Sequence, residues 1–183
     1  NQQSAGPNSR ALQRRNAAAQ GDAPRRGLNE NLAREILELH TLGVDGGYTQ
    51  ADVTAFARVI TGWSVGRAQD ADAGRFVFRA QSHEPGPQTV LGKTYADEGQ
   101  TQGIKVLKDL ARHPKTARHL AYKLARHFLS DAPSPASVEA LSSAYLKSDG
   151  NLSAVYTTLI GLPEALSPET KKLRTPLEYM VAL

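Results

Sequence analysis

Glu35, His40 and His83 are the side chains of this sequence whose types could support catalysis or hold an ion. An imidazole titrates near neutrality and a carboxylate can orient it, so the two together move protons. An ion needs at least three such groups to converge. Glu35 and His40 belong to a crowded stretch, Asn29-Glu30-Asn31-Leu32-Ala33-Arg34-Glu35-Ile36-Leu37-Glu38-Leu39-His40, closed by Gly43. No Glu-x-x-His or His-Glu-x-x-His spacing occurs, and Glu38 and His40 project to nearly opposite sides of an α-helix. His40 and His83 are therefore metal candidates without a complete ligand set. The competing reading is a histidine hydrogen-bonded inside the core.

A second cluster, His119, Lys123, Arg126 and His127, falls within one polar arc of a long helix. An ammonium between two imidazoles repels a cation, so the chemistry here is anion binding or an acidic partner. The alternative is pairing with acidic helices of the same domain, such as the first. Glu30, Arg34 and Glu38 recur at i, i+4, i+8 and read as a structural charge ladder facing outward. Asp70-Ala71-Asp72-Ala73-Gly74 lacks the further oxygen ligand and the bidentate glutamate of a calcium loop. No Gly-x-Ser-x-Gly elbow, phosphate loop or dinucleotide fingerprint is present.

The elements positioning these residues are mostly helices. Residues 29–42 place Leu32, Ile36 and Leu39 on one stripe widened by Ala33 and Leu37, with His40 and Glu35 at its margins. Asn29 is the expected N-cap and Gly43 the left-handed stop. Thr49 and Asp52 open a second helix in which Val53, Phe56, Ala57, Ile60 and Trp63 share a face. Residues 75–79 alternate polar and apolar and are expected to pair with 89–95 as one small hairpin. Four helical segments follow: 101–112 with Ile104, Leu107, Leu110 and Ala111 inward; 114–129 with Ala117, Leu120, Ala121, Leu124 and Phe128 inward; 135–148 with Val138, Leu141 and Tyr145; and 152–160 with Leu152, Val155, Tyr156, Leu159 and Ile160. Thr175-Pro176-Leu177-Glu178 starts a last helix. The expected fold is mainly α, a multi-helix domain with a small β-hairpin insertion.

The 183 residues are 40% hydrophobic, enough for a sizeable core, and carry a formal charge of +4. Residues 1–27 hold five arginines against Asp22, which accounts for the whole excess; the rest balances 17 basic and 17 acidic residues. Residues 1–27 read as a flexible basic linker or arm, and 28–183 as the helical domain. A nucleic-acid partner is not expected, because the folded part is neutral. Without cysteine there is neither disulfide nor thiolate. No apolar run is long enough to span a membrane. The chain is expected to be a piece of a longer protein, cut at both ends.

From Asn29-Glu30-Asn31 to Gly62-Trp63 the sequence resembles the bacterial family called domain of unknown function 1800. The resemblance continues through Ser82-His83-Glu84, Leu91-Gly92, His113-Pro114-Lys115-Thr116-Ala117-Arg118, Lys123-Leu124-Ala125-Arg126-His127-Phe128, Ser148-Asp149-Gly150 and Thr175-Pro176-Leu177-Glu178. It implies the C-terminal portion of a larger, mainly helical protein, exported to the periplasm or beyond. The partner it implies is a secreted protein encoded nearby. Glu84 stands where the family pattern usually has aspartate, which retains a carboxylate on a longer arm. The resemblance names no reaction, substrate or cofactor. Three functional readings follow: a helical module acting through a protein partner, a metal-assisted hydrolase or oxidoreductase completed by an upstream half, and a binder of anionic glycans or envelope polymers.

Overall fold

Thr49 sets the first helix start with complete cap chemistry: its hydroxyl accepts from the Asp52 N–H, and the Asp52 carboxylate accepts from the Thr49 N–H at 2.7 Å. In this computed structural model, residues 9–10, 28–69, 71–167 and 176–181 are described. The expected linker 1–27 lies outside them apart from Ser9 and Arg10, as do Asp70 and Thr175. The protein is mainly α with two small antiparallel strand pairs. It divides into two compact units, one of residues 1–40 and 44–110, the other of 41–43 and 111–183.

In the first unit, α1 (Asn31–Glu35) runs into a π-helical turn, Ile36–Thr41. The cap falls at Glu30, one residue later than expected, while the Asn29 side chain accepts from the Asn31 N–H. Helix α2 (Gln50–Val59) buries Val53, Phe56, Ala57 and Val59. It stops before Trp63, because Gly62 at φ +82° turns the chain into β1 (Trp63–Val65). Strand β1 pairs with β2 (Phe76–Phe78), and β3 (Gln88–Val90) pairs with β4 (Lys93–Tyr95). The single hairpin expected from the sequence is thus two: 76–78 pairs back to 63–65, not forward to 89–91. The second is closed by Leu91 and Gly92, both at positive φ, a two-residue turn that matches the twist of its strands. Helix α3 (Gln100–Ala111) buries Gln102, Gly103, Val106 and Leu110 and leaves Ala111 exposed.

Asp52 does more than cap. Its other oxygen accepts from the Leu91 N–H at 2.6 Å, tying α2 to the β3–β4 turn. Partial burial pushes its carboxyl upward, but the bonds from Thr49 and Leu91 outweigh that and hold it below the ordinary 3.8. A depressed carboxyl contributes stability that is present above its unfolded value and lost as pH falls through the folded one. Asp52→Ala is therefore expected to cost about 1 kcal/mol at neutral pH. The gap from wild type should close below pH 3.8, as read by urea melts across pH.

In the second unit, α4 (Pro114–Phe128), α5 (Pro135–Lys147) and α6 (Leu152–Ile160) start on capping side chains of His113, Ser134 and Asn151. A 3₁₀ turn, Pro163–Ala165, and α7 (Pro176–Val181) follow. The core joins Ala117, Ala121, Ala125, Leu129, Val138, Leu141, Tyr145, Val155 and Leu159. Alanines at every fourth residue of α4 let α5 approach closely, so the seam of α4 is small. Phe128, expected inside, is 58% exposed; on α6, Leu152, Tyr156 and Ile160 are also exposed.

Candidate functional site

The expected site at the first helix does not assemble. His40 and Glu35 are exposed, as are Leu32 and Leu39, while Ala33 and Leu37 are buried. Two physical causes displace the apolar stripe. The i→i+5 turn at 36–41 takes more residues per revolution than an α-helix, so an even 100° step misplaces Leu39 and His40. The charge ladder also finds polar partners on α2 and on Tyr48 just before it, and so faces protein. Glu30 accepts from the Gln50 amide and the Thr54 hydroxyl, Arg34 donates to Gln50 Oε1 at 2.7 Å, and Glu38 accepts from Tyr48 Oη at 3.2 Å. The Thr54 and Gln50 bonds hold the Glu30 carboxyl below its ordinary value.

His83 is the candidate that the fold does enclose. It follows a 3₁₀ turn, Ala80–Ser82, and is 7% exposed. Its Nδ1 lies 3.0 Å from the Thr61 carbonyl oxygen, and a carbonyl only accepts, so Nδ1 carries a proton and donates it there. The Thr61 hydroxyl is occupied, donating to the Arg58 carbonyl and accepting the Glu84 N–H at 2.7 Å. The Phe78 ring packs edge-on against the imidazole at 5.4 Å. Nε2 is buried and has no hydrogen-bond partner among the described atoms. The nearest charge is Asp97 Oδ1 at 3.8 Å, an ion-pair distance but too long for a hydrogen bond.

Asp97 is positioned in turn. Its Oδ2 accepts from the Gly86 N–H at 2.8 Å, and buried Gln102 on α3 donates to the carbonyls of Gly86 and Tyr95. Helix α3 thus fixes the loop carrying the carboxylate, and the end of α2 fixes the imidazole. His83, Asp97, Phe78, Pro85, Gly99 and Arg10 line a cleft of about 390 Å³. Thr61, Asp97 and Gln102 escape sequence reasoning, since nothing local marks a threonine at a helix end or a glutamine bound for the core. Thr61→Val should strand the buried Glu84 N–H and cost about 1–3 kcal/mol in a denaturant melt. Among the described residues, no three of His, Cys, Asp and Glu gather as a metal set.

In the second unit, Lys123, Arg126 and His127 are exposed and His119 is half-buried. Helix α4 carries Lys115, Arg118, Lys123 and Arg126 with no acidic residue in its fifteen. At its C-terminal end lies an apolar groove of about 500 Å³, lined by Phe128, Leu129, Tyr156, Leu159, Ile160 and Leu166. The Phe128 and His127 rings pack in a T-shape, with their centroids 4.5 Å apart. No described helix is long and apolar enough to cross a membrane.

Residues 1–183 match the family described as Protein of unknown function (DUF1800). No curated protein and no solved structure matches the chain.

Proposed function

We propose that this chain, which belongs to the family Protein of unknown function (DUF1800), is a protein-interaction module that seats an acidic, amphipathic partner helix in the groove at the end of α4. The observation that carries the reading is the apolar exposure around that groove: Phe128 is 58%, Ile160 69% and Leu166 86% exposed. Contiguous apolar surface of this kind costs solubility and marks a site that another surface covers. A helix presenting apolar residues at i, i+3, i+4 and i+7 fits such a groove. The acidic charge of the partner is inferred from α4, whose fifteen residues include Arg118 and Arg126 and no acid. As the family resemblance implies, the partner is taken to be an exported protein encoded nearby.

The test is fluorescence anisotropy with a labelled helical peptide bearing leucine at those four spacings and glutamate elsewhere. Saturable binding that weakens with added salt is expected. Ile160→Glu should weaken it at least about tenfold, or 1.4 kcal/mol. Equal binding of a lysine version of the peptide, or indifference to Ile160→Glu, would refute the reading.

A further inference from the structure

The cleft of the first unit carries recognition chemistry that partner docking in the second does not use. A cation, an anion and an imidazole stand on its walls, with the Gln81 amide and the apolar Phe78 and Pro85. That mixture disfavours a multiply charged ligand: Arg10 offsets one acid, and Asp97 repels a second. We propose that the cleft binds a sugar acid, a single carboxylate on a hydroxyl-bearing carbon frame.

Arg10 is exposed and takes the carboxylate, since a planar guanidinium pairs with both oxygens of such a group. Its neighbour Ser9 is fully buried, which anchors this segment beside the cleft. Asp97 is preset to accept hydroxyl protons. Its Oδ2 takes the Gly86 N–H at 2.8 Å, its Oδ1 is turned toward the Gly99 N–H at 3.4 Å, and lone pairs remain on both. The next acid, Glu98, is paired with Lys105 at 2.6 Å and adds no free charge beside it.

His83 selects the hydroxyls. Its Nε2 stands 3.8 Å from Asp97 Oδ1, and a buried ring nitrogen is costly to leave unbonded. A hydroxyl suits Nε2 in either protonation state, donating to a bare nitrogen or accepting from a protonated one. An ammonium lacks that freedom because it only donates, and a carboxylate because it only accepts. Adjacent hydroxyls of one sugar can therefore serve Nε2 and Oδ1 together. At about 390 Å³ the cleft has the size of a small-ligand site, and Phe78 and Pro85 give the carbon frame an apolar wall. His40 and Glu35 have no part in it.

The experiment is calorimetric titration of the full chain with galacturonate, glucuronate and gluconate, set against galactose, acetate and serine. Saturable one-to-one binding of at least one sugar acid is expected, weakening as salt screens the Arg10 contact. Galactose lacks the carboxylate and acetate the hydroxyls, so each should bind at least about tenfold more weakly. Arg10→Ala should remove the preference for the acid over galactose. Asp97→Asn should lower affinity at least about tenfold with the unfolding midpoint unmoved, and His40→Ala should change nothing. Arg10 is exposed and the Asp97 side chain is 41% exposed, so neither substitution threatens the fold. The assignment is overturned if no sugar acid binds saturably, if galactose or serine binds as tightly as the best of them, or if Asp97→Asn binds undiminished. Such a failure would leave the groove reading standing, because the peptide assay reports on the other unit.

Discussion

Gly103→Ala should destabilise the first unit by about 1–2 kcal/mol, although it replaces glycine by the best helix former inside a helix. On propensity alone the change returns roughly 1 kcal/mol. The space is taken, however: a Cβ built on Gly103 would stand 2.5 Å from Trp63 Cζ2 and 3.0 Å from Cε2. Trp63 cannot yield cheaply, because its ring is braced edge-on by Phe76 at 5.3 Å. Overpacking of this kind typically costs about 1–3 kcal/mol, and more where the obstructing group is rigid. Trp63 is the only tryptophan, so its emission reports the displacement directly. A denaturant midpoint that falls together with a shifted emission maximum is expected. An unchanged or raised midpoint would mean that α3 and β1 stand farther apart than described.

Gly43→Ala should cost the second unit about 2–3 kcal/mol, from two independent sources. The residue sits at φ +85°, where a side chain costs roughly 1–2 kcal/mol. A Cβ there would also lie 2.7 Å from His119 Nδ1, part of a half-buried ring. The two are separable. In a Gly43→Ala, His119→Ala double variant the clash is gone and the backbone strain remains. The double-mutant cycle should therefore return a coupling of about 1 kcal/mol. Strict additivity would show that His119 does not pack on Gly43.

These two glycines show what was legible in the sequence and what was not. Gly43 could be read as a helix stop, since a glycine after an amphipathic run followed by Asp45-Gly46-Gly47 has few other uses. Gly103 could not, because its reason is an indole 40 positions away in sequence. The helical course of the chain was legible wherever periodicity and caps agreed, as at Thr49 with Asp52 and Ser134 with Pro135. Facing was not. A wheel turning evenly puts Leu32 and Leu39 inside and the Glu30–Arg34–Glu38 row outside. The π turn and the polar groups of Gln50, Thr54 and Tyr48 reverse that assignment. The same gap separates the expected site from the cleft. His83 could be chosen by residue type alone, but Asp97 and Thr61 join it through tertiary approach. Phe128 and Ile160 have the hydrophobicity of core residues and are legible as surface only once the alanine seam of α4 is seen.

In the function proposed above, this chain docks a partner on the α4–α6 groove. The most direct test is co-expression with the partner that the family resemblance implies, an exported protein expected to be encoded nearby, followed by size-exclusion chromatography with light scattering. A stable one-to-one complex is expected for the wild type and for His40→Ala. The complex should be lost in Phe128→Glu and Ile160→Glu, whose own melts should match wild type, both positions being solvent-exposed. A complex that survives both glutamates, or that fails in His40→Ala while they leave it intact, would contradict the account.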